Sequence, residues 1–359
     1  MREKISEKSF EGQSIYVGID VHLKSWKVSV MTENLTYKTF SSPAEAEKLG
    51  NYLRRHFPGA TFHSAYEAGF SGFWLHRELM KLGIKSIVVN PGDIPTTDKE
   101  RKQKEDVRDS HKIAQTLRAG QLKGIFVPSE KVEQDRLLLR TRETIVKELR
   151  RSKHRIKSLL YFQGIRYPER FYANSTHWSR VFIKWLESLT FEHESGKGAL
   201  NAHLEMAKHQ RGLLLKVTRQ IRELSKGQDY KPTVELLTSI PGIGMLTALI
   251  LLTELETIER FESFDRLCSF IGLVPSTNSS GDNEVDTGIT PRRNSRLRAA
   301  LVESAWIAIR HDPALLVAYQ KLCQRMPGNR AIIRIAKKIL SRIVYVLRSK
   351  QKYERGIVK

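Results

Sequence analysis

Ser14-Ile-Tyr-Val-Gly-Ile-Asp20 is a short, mostly apolar run that closes on a carboxylate. A stretch of that length and composition reads as a strand buried in a sheet. Trp26-Lys-Val-Ser-Val30 beyond it alternates, and Leu35 to Phe40 follows Glu33-Asn34. These three segments predict three antiparallel strands. Pro43 is expected to open a helix to about His56, since proline suits the first helical turn. Thr61 to Tyr66 reads as another strand, ending at Glu67. Phe73 to Leu82 reads as a helix stopped by Gly83, and Ile84 to Val89 as a buried strand closed by Asn90-Pro91-Gly92.

Three strands, helix, strand, helix, strand is the order of an α/β ribonuclease-H-like domain, assigned here to residues 14–128. Asp98 to Lys104 is polar and Lys-rich, and Val107 to Ala119 is helix-like. Residues 129–231 carry two apolar stripes. Leu138, Ile145, Leu149, Ile156 and Leu160 form one; Leu200, Leu204, Ala207, Leu214, Val217, Ile221 and Leu224 form the other. Their heptad-like spacing predicts a coiled-coil helical hairpin. Trp178 and Trp185 fall between them on a short helix. Residues 232–348 form a mainly α C-terminal domain. Its last helix presents Ile332, Ile335, Ile339, Ile343 and Val346 on one face.

The chain has 359 residues, with 61 Lys and Arg against 39 Asp and Glu, a formal net charge of +22. A folded protein this basic meets a polyanion, and nucleic acid is the first candidate. A membrane-surface protein would concentrate its charge on one amphipathic helix instead. The two cysteines, Cys268 and Cys323, have no zinc-type spacing and rule out a disulfide framework. No signal-peptide pattern and no apolar run of ~18 residues is present. The expectation is a soluble, cytoplasmic protein with no membrane partner.

Four acids stand out. Asp20 and Glu67 end strands, and strand ends of one α/β sheet gather where sites form. Asp106 and Asp109 are three apart, so a helix puts them on one face. Four such carboxylates need countercharge, and divalent cations would supply it while clamping the oxygens of a phosphoryl displacement. The plainer alternatives are a strand-end cap for Asp20 and a solvated ion-pair helix for Asp106 and Asp109 among Lys102, Lys104 and Arg108.

In the C-terminal part, Leu236-Leu-Thr-Ser-Ile-Pro-Gly242-Ile-Gly244-Met-Leu-Thr247-Ala248 reads as a helix-hairpin-helix. Gly242 and Gly244 allow close backbone approach, and the second helix can offer N–H groups to phosphate. A purely structural αα-hairpin has the same pattern. A Ser-rich loop, Pro275 to Gly288, precedes a helix opened by Thr290-Pro291 and carrying Arg292, Arg293, Arg296 and Arg298, suited to a phosphate. By composition alone that loop is simply flexible and polar.

Tyr16-Val-Gly-Ile-Asp20-Val-His22, Tyr66-Glu67-Ala68-Gly69 and Lys104-Glu-Asp106-Val-Arg-Asp109 together resemble the DEDD transposases of the IS110 group of bacterial insertion sequences. Pilin-gene invertases are similar. The segment from Ser239-Ile-Pro-Gly-Ile to Leu297-Arg298 resembles that group's second domain, and the resemblance covers roughly Ile15 to Leu347. It implies a RuvC-like, Holliday-junction-resolvase-like first domain. It implies Mg²⁺ (or Mn²⁺) held by Asp20, Glu67, Asp106 and Asp109. It also implies a serine that attacks DNA phosphate, matched by Ser279, with Ser280 as the one-residue alternative. Arg293 stands where many members have glycine before Asn294. Some members are directed by a structured guide RNA, in which case the positive charge serves RNA as well as DNA. A homo-oligomer, dimer or tetramer, is the expected assembly. The rivals are a metal-dependent nuclease that resolves branched DNA by water attack, and a non-catalytic nucleic-acid scaffold.

Overall fold

The computed structural model describes residues 9–95, 106–280, 283–289 and 293–355, with the side chains of 106–107 and 275–289 outside that description. The chain divides into two compact units, Met1–Pro128 and Ser129–Lys359.

The first unit is built on five strands: β1 (Ser14–Asp20), β2 (Ser25–Met31), β3 (Thr36–Pro43), β4 (Thr61–Glu67) and β5 (Lys85–Val89). Their order is β3-β2-β1-β4-β5. The β1–β2 and β2–β3 pairs are antiparallel; β1–β4 and β4–β5 are parallel. Helices α1 (Ala46–His56) and α2 (Trp74–Lys81) cover one face. There Ile15, Val17, Ile19, Val28 and Val30 pack with Leu49, Leu53, Leu75 and Leu79. The two-residue alternation of the strands separates this face from the other. On the other face, α3 (Asp106–Arg118) brings Ile113 onto Ala65 and Val89.

Pro43 departs from the expectation. It ends β3, opposite Ser25, and the helix starts at Ala46. β3 is an edge strand, so a proline without an N–H is tolerated at its end.

In the second unit, α4 (Glu130–Phe162) and α6 (Glu194–Lys226) are helices of 33 residues, each about 50 Å long. Ile156 and Leu160 pack near Leu200 and Leu204, while Leu138 and Leu139 share a core with Val217 and Ile221. The pair is therefore antiparallel. The stripe is shifted from the expected one near its start, where Leu139 is buried and Leu138 only partly so. The connection contains α5 (Arg180–Ser188), which carries Trp185; Trp178 precedes it with φ +69°.

The rest of this unit is α7 (Lys231–Leu237), α8 (Met245–Leu255), α9 (Phe264–Ile271), β6 (Pro275–Ser280), β7 (Asn283–Ile289), α10 (Ser295–His311), α11 (Pro313–Cys323) and α12 (Gly328–Ser349). Ile332, Ile335, Ile339, Ile343 and Val346 of α12 are buried. Among the described residues no helix is long and apolar enough to cross a membrane.

Candidate functional site

Asp20 and Glu67 are neighbours because β1 and β4 run parallel in register. Ile19 pairs with Tyr66, and each acid is the next residue. Adjacent strands lie about 4.8 Å apart, so two carboxylates leave the sheet side by side. Alternation along the strands puts both on the face of Gly18 and Ala65, the face covered by α3. Asp20 is partly buried, and His22 Nε2 lies 3.1 Å from its Oδ2. Glu67 is exposed.

The direction of α3 follows from three contacts. A Cβ on Gly18 would lie 2.1 Å from the Ser110 carbonyl oxygen and 2.4 Å from the Ala114 nitrogen. Ser110 Oγ is 3.0 Å from Ser29 Oγ on β2. Arg118 Nη1 donates to the Thr32 carbonyl at 3.4 Å, next to Met31, which pairs with Tyr16 near the start of β1. The helix thus runs opposite to β1, with its first turn at the strand's carboxyl end. Four helical residues from Ser110 back to Asp106 rise about 6 Å, and two strand residues from Gly18 to Asp20 rise about 6.6 Å. The backbone of Asp106 therefore reaches the height of Asp20 and Glu67, and that of Asp109 lies about 4.5 Å nearer Gly18 along the helix.

Asp109 is half-buried. The side chain of Asp106 lies outside the described residues, as do Lys102 and Lys104. Among the described residues no three His, Cys, Asp or Glu side chains close on one point. Carboxylate oxygens are hard donors, the chemistry that Mg²⁺ prefers. Gly18 matters through this close approach of α3 rather than through chemistry of its own. A lone glycine inside a β-branched strand is the signal that marks such a close approach.

In the second unit, residues 275–280 and 283–289 are strands rather than a featureless loop. β6 and β7 pair antiparallel, with Ser279 opposite Glu284. The alternation in Asn283-Glu-Val-Asp-Thr-Gly-Ile289, with β-branched residues at every second position, favours a strand over coil. The side chains of Ser279 and Ser280 lie outside the described residues.

The helix after the hairpin starts later than expected. Asn294 is its N-cap, accepting from the Leu297 N–H at 3.1 Å, and α10 begins at Ser295. An asparagine in this role satisfies an otherwise orphaned N–H. Arg293 therefore precedes the helix, while Arg296 and Arg298 lie in it; Thr290, Pro291 and Arg292 lie outside the described residues. Arg296 Nε is 2.6 Å from Glu143 Oε2 on α4. Burial, and then the neighbouring Arg293 charge, lower the pKa of Arg298.

The two glycines of the α7–α8 turn differ. Gly242 has φ +86°, and a Cβ there would meet the Ser304 carbonyl of α10 at 2.2 Å. It serves packing. Gly244 caps α8 and has open space around it, so it is the one at an accessible helix N-terminus.

A transposase family model of the DEDD IS110 type matches residues 17–163. The model of the transposase IS116/IS110/IS902 family matches residues 234–320. The chain is 32% identical over 250 residues to the putative transposase y4qE of Sinorhizobium fredii (strain NBRC 101917 / NGR234), covering 70% of this chain and 59% of that protein. It is 26% identical to the transposase for insertion sequence element IS1533 of Leptospira borgpetersenii, covering 82% of this chain and 85% of that one. It is 28% identical to the transposase for insertion sequence element IS1111A of Coxiella burnetii, covering 80% and 78%.

Proposed function

The chain belongs to the IS116/IS110/IS902 family of transposases, and on that premise we propose that it cuts and rejoins the DNA strands of an insertion sequence with an acidic tetrad and a serine nucleophile. The observation that carries this reading is the in-register placement of Asp20 beside Glu67, with the first turn of α3 at the same height. The strand order β3-β2-β1-β4-β5, with only the first two pairings antiparallel, supports a ribonuclease-H-like, RuvC-like fold for the first unit.

Asp20, Glu67, Asp106 and Asp109 would hold Mg²⁺ (or Mn²⁺), which when bound supplies positive charge to a phosphate in flight. Ser279 Oγ attacks the scissile phosphorus. A new P–O bond to serine forms, the bond to the 3′ oxygen breaks, and that oxygen takes up a proton and leaves as a 3′ hydroxyl. The freed hydroxyl then attacks the phosphoserine linkage of a second strand; a new P–O bond forms, the bond to the serine oxygen breaks, and the serine hydroxyl is regenerated with the proton given up by the attacking hydroxyl. Arg293, Arg296 and Arg298, with Arg292 before them, supply charge near the serine segment, and Gly244 opens a helix N-terminus to the DNA backbone. A helix-hairpin-helix role for α7–α8 is supported by that open N-terminus.

The α4–α6 pair acts as a coiled coil between subunits. Leu137, Met206, Leu213 and Leu215 are exposed on it, an apolar edge that a dimer or tetramer would cover. The net charge of +22 suits a guide RNA as well as DNA. The setting is the bacterial cytoplasm.

A denaturing gel on nicked DNA tests the reading. Wild type and Ser280→Ala yield a protein-linked strand, while Ser279→Ala and Asp20→Ala do not. Loss in Ser280→Ala alone moves the nucleophile by one residue. Cleavage that survives in Ser279→Ala without any adduct establishes water attack instead.

A further inference from the structure

Glu254 is a carboxylate near the end of an otherwise apolar helix, Met245-Leu-Thr-Ala-Leu-Ile-Leu-Leu-Thr-Glu-Leu255, and it is 6% exposed. A buried carboxylate survives only if its lone pairs are met. Arg140 of α4 meets both oxygens, Nε to Oε1 at 2.9 Å and Nη2 to Oε2 at 3.0 Å. Asn294 Nδ2 donates to Oε2 at 2.9 Å. One helical turn before Arg140, Arg136 donates from Nε and Nη2 to the Thr253 carbonyl at 2.9 and 2.7 Å. Burial opposes the charge on Glu254, yet Arg140 first, then Asn294 and Arg136, hold its carboxyl below the ordinary range.

Asn294 is held at three points by this arrangement. Its side-chain oxygen caps α10, its amide nitrogen reaches Glu254, and its backbone N–H donates to the Phe270 carbonyl at 2.9 Å. Phe270 lies just before the hairpin and Asn294 just after it, so the two roots of β6–β7 are tied together. Gly272 tightens the same neck. It ends α9 at φ +83°, and a Cβ there would lie 2.5 Å from Arg293 Cβ.

We propose that Glu254 and Asn294 form a latch that fixes the direction in which the β6–β7 hairpin leaves the helical unit, making both positioning residues for strand cleavage. The inference rests on the reading of Ser279, on that hairpin, as the nucleophile. Neither residue touches DNA. Each acts through the hairpin root, where a small rotation is magnified at the serine by the length of the strands. Misplacing a reacting atom by about 1 Å costs up to a hundredfold.

The test uses the full chain and reads the rate of adduct formation at saturating nicked DNA, DNA affinity, and Tm. Glu254→Gln sets an amide against an amide, and Asn294→Asp sets a carboxylate against a carboxylate. Each slows adduct formation by between roughly tenfold and a hundredfold while DNA affinity stays within about twofold. Asn294→Asp recovers as pH falls, because one proton shared by the two acids relieves their repulsion. The double variant Glu254→Gln/Asn294→Asp restores a donor facing an acceptor with the polarity reversed, and brings the rate back toward wild type. If either single variant unfolds, the double variant still carries the test. Wild-type rates in both single variants overturn the latch, and so does a double variant as slow as the product of the singles. An adduct that persists in both Ser279→Ala and Ser280→Ala overturns the serine reading instead.

Discussion

The two units bring their candidate residues into place by different means. In the first, the acids inherit their position from regular secondary structure. A parallel register sets Asp20 beside Glu67, and a glycine notch in β1 lets the backbone of α3 lie directly on the sheet. In the second, Ser279 sits on a two-stranded ribbon, which is marginal on its own, and in the proposed latch its orientation depends on a few side-chain bonds at the root. The first arrangement is fixed by the backbone and the second by specific charges. Substitutions should therefore act on the acidic edge through chemistry or gross packing, and on the hairpin through its direction.

The sharpest break of this contrast is Asp20→Asn. It removes one negative charge without removing volume, at a strand end that does not depend on that charge for its pairing. Strand cleavage should fall by about a hundredfold to a thousandfold, the scale expected for losing a group that organises charge at a reacting centre, while Tm stays level or rises as carboxylate repulsion is relieved. A gel showing wild-type cleavage by this variant removes the acidic edge from the mechanism.

A smaller effect separates two glycines. Gly18→Ala drives a methyl into the backbone of α3, where no side chain can swing aside. Overpacking of this sort costs about 1–3 kcal/mol, and the displaced helix carries Asp109 with it, so Tm and cleavage fall together. Gly244→Ala meets nothing within 4 Å and should leave Tm nearly unchanged, with any loss confined to DNA affinity. Equal Tm losses in the two, read by thermal melting, would contradict the notch.

What the sequence revealed divides along the same line. The order of β1 to β5 and the placing of Asp20 and Glu67 at strand ends were legible, because periodicity and turn residues are local signals. The end of β3 is not legible locally, because Pro43 can serve either the first turn of a helix or the end of an edge strand, and only pairing with Ser25 decides. The Ser-rich segment reads as loop because its small polar residues weigh against a strand that cross-strand pairing nonetheless forms. Thr290-Pro291 looked like a helix start, and Asn294 took that role. Glu254 gave no sign at all. Its partner Arg140 is 114 residues away, so nothing near it in the sequence explains a carboxylate in an apolar helix.

The smallest expected effect is a difference in acid sensitivity. In the first unit, His63 and His76 have pKa values below the ordinary 6.5. Burial is the main cause, with Lys85 acting on His63 and Arg77 on His76. His76 Nδ1 is buried with no hydrogen-bond partner among the described residues, so charging it in the folded state is unfavourable. A base whose folded pKa is depressed binds fewer protons folded than unfolded as pH drops below 6.5, and stability declines from there. In the second unit Glu254 is depressed below its ordinary 4.5. Its contribution is complete above 4.5 and is lost only as pH falls through the lower folded value. Amide hydrogen exchange, resolved by peptide, should show protection in residues 14–95 weakening from about pH 6.5 downward, while α8 and α10 hold until pH is below about 4.5. Protection lost first around α8 and α10 would mean that the buried carboxylate is not held ionised by Arg140, and that the hairpin root is fixed by packing rather than by charge.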